Sequence, residues 1–205
     1  MRKIFVTGIG TDVGKTIVSA ILTEALEADY WKPVQAGDLD NSDSIKVERF
    51  ISNKNTVIHP EGKKLNSPMS PHAAAAIDNV EIRLSDFELP ATNNNLVVEG
   101  AGGLMVPLND KELIIDLIQQ LDIEVVLVSQ NYLGSINHTI LSIDALKNRG
   151  IKVLGIIFNG EENVVTEKYV LNYSGLKCLG RIKQHPTINK EIVLSYKQQF
   201  SSLSA

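Results

Sequence analysis

The residues whose types and spacing best suit chemistry are Gly14, Lys15 and Thr16, which close the stretch GIGTDVGKT from Gly8 to Thr16. The stretch follows the apolar run KIFV and opens into IVSAILTEAL. A strand that ends in a glycine-rich turn and leads into a helix aims several backbone N–H groups, and the positive end of the helix dipole, at one point. That point suits a polyphosphate. In such a cradle Lys15 reaches the β- and γ-phosphates and the Thr16 hydroxyl ligates Mg²⁺. The usual pattern is G-x-x-x-x-G-K-S/T, but here the glycine before Gly14 stands at Gly8 or Gly10, and position 9 is isoleucine. The plain alternative is a tight turn that happens to contain GKT; the flanking strand and helix favour a nucleotide.

Magnesium at such a loop wants a carboxylate beside the hydroxyl, because the ion is hard and keeps several waters. In VVEGAGG, Glu99 ends an otherwise apolar strand, where burying an acid is costly unless it is paired or metal-bound. It is either a metal ligand or an acid at an exposed strand end. The following Gly100, Ala101 and Gly102 allow close backbone approach to a ligand, or simply make a turn. Asp43, in NSDSIKVERF, reads from spacing alone as a helix N-cap. Lys32, in YWKPVQAG, is out of place among apolar residues. Sequential parallel strands often end at one ligand crevice, so Lys32 either points toward the loop or snorkels to the surface. His72 and His138 lack the spaced partners of a metal site and read as hydrogen-bonded structure.

The elements that must position these groups follow from the hydrophobic pattern. KIFVTG, YWKPVQ, NLVVEG, IEVVLVSQ, IKVLGIIFN and LKCLGRI read as strands, most of them apolar at consecutive positions, as in a parallel sheet covered on both faces. KTIVSAILTEALEA, DKELIIDLIQQL, INHTILSIDALKNRG and EENVVTEKYVLNY show apolar spacing of three and four and read as helices, the third stopping at Gly150. The alternation predicts a doubly wound α/β fold with a mostly parallel sheet. The segment 53–95 is less regular and rich in turn formers, which points to a functional loop. The final SSLSA reads as a loose tail.

The 205 residues suffice for one core, and a single domain over 1–205 is expected. A net charge of −4 favours neither nucleic acid nor an anionic membrane, so small-molecule or protein partners are expected. One cysteine, Cys178, allows no intrachain disulfide. The apolar stretch after MRK is too short for a signal peptide and no run spans a bilayer, so a cytoplasmic location is expected.

Taken together, VTGIGTDVGKT, YWKPVQAG, NSD, SPMSPHAAA, VVEGAGGLMVPL, LGSINHTIL and GIIFNG occur in the order and approximate spacing of the dethiobiotin synthetases, up to about Asn159. The sequence resembles that family. The resemblance implies a P-loop NTPase-like fold and ATP- and Mg²⁺-dependent closure of 7,8-diaminononanoate with CO₂ into the cyclic urea of dethiobiotin, through a carbamate and a carbamic-phosphoric anhydride, releasing ADP and phosphate. It also implies roles. Val13, Gly14, Lys15, Thr16 and Ile17 match the phosphate loop and its displaced glycine, and Thr11 and Asp12 match positions facing the reacting amine and phosphate. Lys32 matches the active-site lysine, with Lys15 and Thr11 beside it in catalysis. Thr16, Asp43 and Glu99 match the Mg²⁺ ligands, which replaces the cap reading of Asp43. Gly100, Ala101 and Gly102 match the backbone beside the nucleotide, and Asn159 with Gly160 matches the segment that reads the adenine. Leu133, Gly134, Ser135, Ile136 and Asn137 match a helix start that holds the substrate carboxylate across a homodimer interface.

Three departures stand out. Ala36 occupies the substrate-side position where the family often has Ser or Thr, so a hydrogen bond is lost or is supplied by Gln35. EALEADYWKPV is shorter than usual. GRIKQHP replaces the family's G-x-I-P segment at the nucleotide base, so Arg181 and Lys183 bear on base selectivity. The alternative reading is a dimeric P-loop switch ATPase of the partitioning and positioning type. Those proteins carry K-G-G-x-G-K-T, and the position of their extra lysine is Gly10 here. A glutamine-dependent amidotransferase would need a cleaving cysteine, and Cys178 has no recognisable elbow around it.

Overall fold

A computed structural model describes residues 1–204. The chain runs β1 (Lys3–Gly8), α1 (Lys15–Leu26), β2 (Asp29–Trp31), β3 (Val34–Ala36), α2 (Asp43–Phe50), β4 (Lys63–Leu65), α3 (Pro71–Asp78), β5 (Leu96–Gly103) and α4 (Ile114–Leu121). It continues through β6 (Glu124–Gln130), α5 (Ser135–Asn148), β7 (Val153–Asn159), α6 (Val164–Ser174), β8 (Cys178–Ile182), α7 (Lys190–Ser195) and α8 (Lys197–Phe200). Six strands form a parallel sheet in the order β2-β5-β1-β6-β7-β8. From β1 the chain winds out to β2 on one side, and after β5 it returns past β1 to β6, β7 and β8 on the other. The loop after β1 therefore sits at the switch point, where ligands of open α/β sheets bind.

Strand alternation divides the core between the two faces of the sheet. Ile4, Val6 and Val97 pack with α1 residues such as Val18, Ile21 and Leu22, joined by Val193 and Phe200 from the C-terminal helices. Phe5, Leu96 and Val98 pack with Ile115, Leu117 and Ile118 of α4 and with Ala74 and Ala75 of α3. Each fully buried Val, Ile, Leu or Phe side chain among these contributes about 1.5–3 kcal/mol of hydrophobic stabilisation.

The structure corrects three expectations. YWKPVQ is not one strand. Pro33 lacks an N–H and divides it, so that β2 pairs with β5 while β3 pairs with β4 in a separate two-stranded sheet. Lys32 thus lies between two strands, its carbonyl accepting from the Gly62 amide at 3.3 Å. The segment 53–95 is not merely a loop, since it contains β4, α3 and a 3₁₀ turn at Leu84–Asp86. The C-terminal stretch is not loose over its described residues: Leu203 is buried against the α1 core, and its carbonyl accepts from the Arg2 guanidinium at 2.9 Å. Ala205 lies outside the described residues. The α5 boundary holds, with Gly150 in left-handed backbone (φ 69°) two residues past Asn148.

Candidate active site

The loop between β1 and α1 has the backbone that the sequence calls for. Asp12 and Gly14 both take left-handed conformations, with φ of 57° and 91°, and turn the chain into α1. A Cβ at Gly14 would also lie 2.1 Å from Nδ2 of Asn159, at the end of β7, and would displace that amide. That amide donates to the Val13 carbonyl at 3.0 Å, so the β7 end is fastened to the loop. The two candidate upstream glycines are not equivalent. A Cβ at Gly8 would meet Val13 Cγ2 at 2.5 Å, whereas one at Gly10 would meet nothing within 4 Å. Gly8, the last residue of β1, is the one the packing requires.

The functional side chains converge beyond the carboxyl ends of β1 and β2 and on β5, where Glu99 is not the strand's last residue as expected but its fourth, the strand running on through Gly100–Gly103. Lys15 is buried and donates to the Gly10 carbonyl at 2.7 Å. Burial, aided by the neighbouring Lys32 charge, lowers its pKa to about 8 against the opposing pull of Glu99 and Asp43. Lys32, 3% exposed, is not a snorkelling lysine. Its Nζ lies 2.6 Å from Asp43 Oδ2 and 3.0 Å from Glu99 Oε1, and donates to the Gly100 carbonyl at 3.1 Å. Burial would lower the Lys32 pKa, but the Glu99 and Asp43 carboxylates outweigh it and hold the ammonium above its usual range. Asp43 is held below the usual carboxylate range because Lys32 and then Lys46 overcome the cost of its burial. Glu99, 1% exposed, also accepts from the Thr16 hydroxyl at 2.9 Å and from the Tyr30 hydroxyl at 2.9 Å.

Asp43 and Glu99 therefore meet around the Lys32 ammonium, and the Thr16 hydroxyl donates to Glu99 beside them. The helix cap is Ser42, whose hydroxyl accepts from the Ile45 amide, and Asp43 is free to face Lys32. One hydroxyl and two carboxylates form a hard, oxygen-only donor set. Among the described residues no cluster of three or more His, Cys, Asp or Glu is placed to hold a metal. The set is thus a partial shell, which fits Mg²⁺, an ion held by one or two carboxylates together with waters and substrate phosphates.

These groups open into a cavity of about 810 Å³. Thr11, Asp12, Gly14, Ile17, Ala101 and Gly102 line its loop side, and Ala36 lines it next to Val34. Gln35 lines the cavity beside Ala36. Its amide is engaged at both ends, donating to the Gly37 carbonyl at 2.9 Å and accepting from the Asp43 amide at 3.1 Å, so it braces the start of α2.

Not all expected residues line the cavity. Val13, Gly100, Asn159 and Gly160 stand behind the loop and strand ends, and Leu133–Asn137 at the start of α5 contribute nothing to it within this chain. Leu133 is fully exposed, and Gly134 caps α5 in left-handed backbone. His138 Nδ1 lies 2.8 Å from the Tyr132 hydroxyl, outside the cavity, and His72 is an exposed residue of α3. Arg181 is paired with Glu167, and Lys183 is exposed.

Sequence reasoning missed Tyr30, Lys46, Arg49, Phe50, the Pro68–Pro71 turn, Val106 and Ile188, all but Tyr30 of which line the cavity. Two signals were available. Tyr30 stands two positions before Lys32, and Lys46 follows Asp43 at the helical spacing of three, on one face of α2. Ile188 is contributed by the connection from β8 to α7, which no local pattern ties to the loop.

A glycine-rich loop at the switch point of a parallel sheet, with a lysine and a hydroxyl at its end, defines a P-loop NTPase fold. Solved structures agree at the level of fold. The septum site-determining protein MinD complexed with Mg-ADP from Pyrococcus horikoshii superposes with a TM-score of 0.64 at 15% identity, over 98% of this chain and 91% of that one. A ParA family ATPase from Chlorobium tepidum gives 0.55 at 12% identity, over 96% and 98%. The family model described as an AAA domain matches residues 2–192. Sequence relatives are much nearer. The ATP-dependent dethiobiotin synthetase of Christiangramia forsetii is 55% identical over 97% of this chain and 96% of its own. That of Cytophaga hutchinsonii is 52% identical over 96% and 95%. The chain belongs to the ATP-dependent dethiobiotin synthetase family, and so to the ATP-dependent ligases.

Proposed function

We propose that this chain, acting as a single domain over 1–205, closes 7,8-diaminononanoate with CO₂ into dethiobiotin at the expense of ATP. The observation that carries the reading is Lys32, locked between Asp43 and Glu99 beside Lys15 and Thr16 at the mouth of one cavity. One neutral amine of the substrate attacks CO₂ and loses a proton, giving a carbamate. A carbamate oxygen takes the γ-phosphoryl group of ATP and ADP departs. The second amine then attacks the carbamate carbon, phosphate leaves with the C–O bond, and a second proton goes to solvent. No protein nucleophile enters.

Phosphoryl transfer of this kind needs alignment and neutralised charge. Lys15 and the loop N–H groups cradle the phosphates, and Lys32 faces the transferred group with Thr11 beside it. Asp12, Ile17, Ala101 and Gly102 line the path, with Ala36 on the substrate side and Asn159–Gly160 reading the base. Thr16, Asp43 and Glu99 would hold Mg²⁺, which supplies charge neutralisation on the phosphates when bound. Leu133–Asn137 form a helix start suited to an anion. In this reading they bind the substrate carboxylate of the opposite protomer in a homodimer. Among the described residues no helix is long and apolar enough to cross a membrane, and we place the enzyme in the cytoplasm.

The test is phosphate release with Mg·ATP and bicarbonate, with and without the diamine, and mass detection of the product. Diamine-dependent release matching dethiobiotin one for one is expected. Release indifferent to the diamine would replace this reading with a switch ATPase. Dilution to a verified monomer should abolish turnover, and full activity in that monomer would remove the shared site.

A further inference from the structure

Outside the cavity, Glu167 of α6 is a buried carboxylate that the proposed reaction does not use. Its Oε1 accepts from Asn131 Nδ2 at 2.6 Å and from the Asn163 amide at 3.0 Å, and its Oε2 pairs with Nη2 of Arg181. Arg181 in turn donates through Nη1 to the Gly160 carbonyl at 3.3 Å, and its guanidinium lies over the Phe158 ring, 5.8 Å from the ring centre. Asn131 also donates to the Glu161 carbonyl at 2.9 Å. The partners come from the carboxyl ends of three adjacent strands: Asn131 follows β6, Phe158 and Gly160 flank the end of β7, and Arg181 lies in β8. Charge-assisted, forked bonds of this kind fix geometry as well as adding energy.

Two of the segments so joined lead into the site. Gly160 is next to Asn159, which holds the phosphate loop through the Val13 carbonyl. Asn131 is four residues before Ser135, the first residue of α5. We propose that Arg181 and Glu167 form a positioning pair that sets the nucleotide-side segment Asn159–Gly160 through Arg181 and the substrate-side start of α5 through Asn131. The proposal rests on the roles given to those two segments in the function proposed above. It also accounts for the arginine in GRIKQHP: its guanidinium is turned to Glu167 and the Gly160 carbonyl, with Glu162 Oε1 3.7 Å away at the exposed side.

The pair predicts a pattern that loss of fold would not produce. Arg181→Met raises KM for ATP, Asn131→Ala raises KM for the diamine, and Glu167→Gln raises both, each by about tenfold, the scale of losing one hydrogen bond to a charged group. In each variant kcat stays within about threefold of the wild type, because no group touching the reacting atoms is altered. Arg181→Lys keeps the charge pair but not the fork, and restores only part of the ATP KM. Equal KM changes in all three variants, changes that merely follow Tm, or unchanged KM values would overturn the proposal. Direct titration of wild type and Arg181→Met with a non-hydrolysable ATP analogue keeps the two readings apart. A wild type without diamine-dependent turnover refutes the proposed reaction, while weaker analogue binding by Arg181→Met still supports the nucleotide half of the pair's role, and equal binding refutes it.

Discussion

Asp29 and Glu99 are both buried carboxylates on the neighbouring strands β2 and β5, yet Asp29 opens β2 opposite Leu96 while Glu99 stands further along β5, toward the carboxyl side, and the two are satisfied in opposite ways. At the amino end, Asp29 accepts from the Thr92 hydroxyl at 2.5 Å, the Val57 amide at 2.9 Å and Asn94 at 3.2 Å, with His59 Nε2 3.2 Å away. These bonds tie two stretches of loop, Val57–His59 and Thr92–Asn94, to the strand, and none of these residues lines the large cavity. Toward the carboxyl side, Glu99 is held by Thr16, Tyr30 and Lys32, two of which also face the large cavity. One carboxylate is built into the fold and the other is held ready for a ligand. The comparison shows that burial of a charge does not identify a site; what its partners can do next identifies it.

Lys32→Ala is the severest test of that contrast. It should lower kcat by about 10²- to 10³-fold, the scale of losing one preorganised charge at a reacting group, while circular dichroism shows the fold retained. Asp43 and Glu99 are then left without their ammonium, so Mg²⁺ should raise the Tm of this variant more than that of the wild type. An unchanged kcat would remove Lys32 from the chemistry.

Asp29→Asn should do the reverse, leaving kcat and KM alone but lowering stability by about 2 kcal/mol, as expected for hydrogen bonds to a buried charge. Burial alone would raise the Asp29 pKa, but Thr92, Val57, Asn94 and His59 outweigh it and hold it below the ordinary 3.8. A depressed carboxylate pKa stabilises the fold at pH above the unfolded-state value, and that stabilisation is lost as pH falls below about 4. Denaturant midpoints of wild type and Asp29→Asn should therefore converge as the pH drops through that window. A gap that stays constant with pH would show that the Asp29 charge contributes nothing.

How much of this was legible in the sequence differs between the two ends. The carboxyl end was readable because its residues are chemically out of place: a lysine and a glutamate in apolar strands, and a lysine and threonine after glycines. The six strands of the main sheet were readable from consecutive apolar positions, except where Pro33 divides a run whose hydrophobicity continues across the break. The amino-end network was not readable, because Asp29, Thr92 and Asn94 are ordinary turn residues made meaningful only by pairings across more than 60 positions. Ile188 is hidden in the same way, and Arg181 with Glu167, though only 14 positions apart, join two different elements, β8 and α6. Periodicity reports which face of an element is buried and is silent about which distant element covers it.

The phosphate loop supplies the finest version of the comparison, between two glycines two residues apart. Gly8→Ala places a methyl 2.5 Å from Val13 Cγ2 and 3.2 Å from Lys15 Cγ, inside the turn that presents the lysine. Overpacking of this kind costs about 1–3 kcal/mol, and because the loop must move to relieve it, nucleotide affinity should fall along with Tm. Gly10→Ala meets open space, and the Gly10 carbonyl that receives Lys15 remains in place. Its effect on Tm should correspond to no more than about 0.5 kcal/mol, with KM for ATP unchanged. Thermal melts and nucleotide titrations of the two variants decide which glycine the loop needs. If Gly10→Ala proves the more damaging, the displaced glycine is required by the bound nucleotide and not by the packing of the turn.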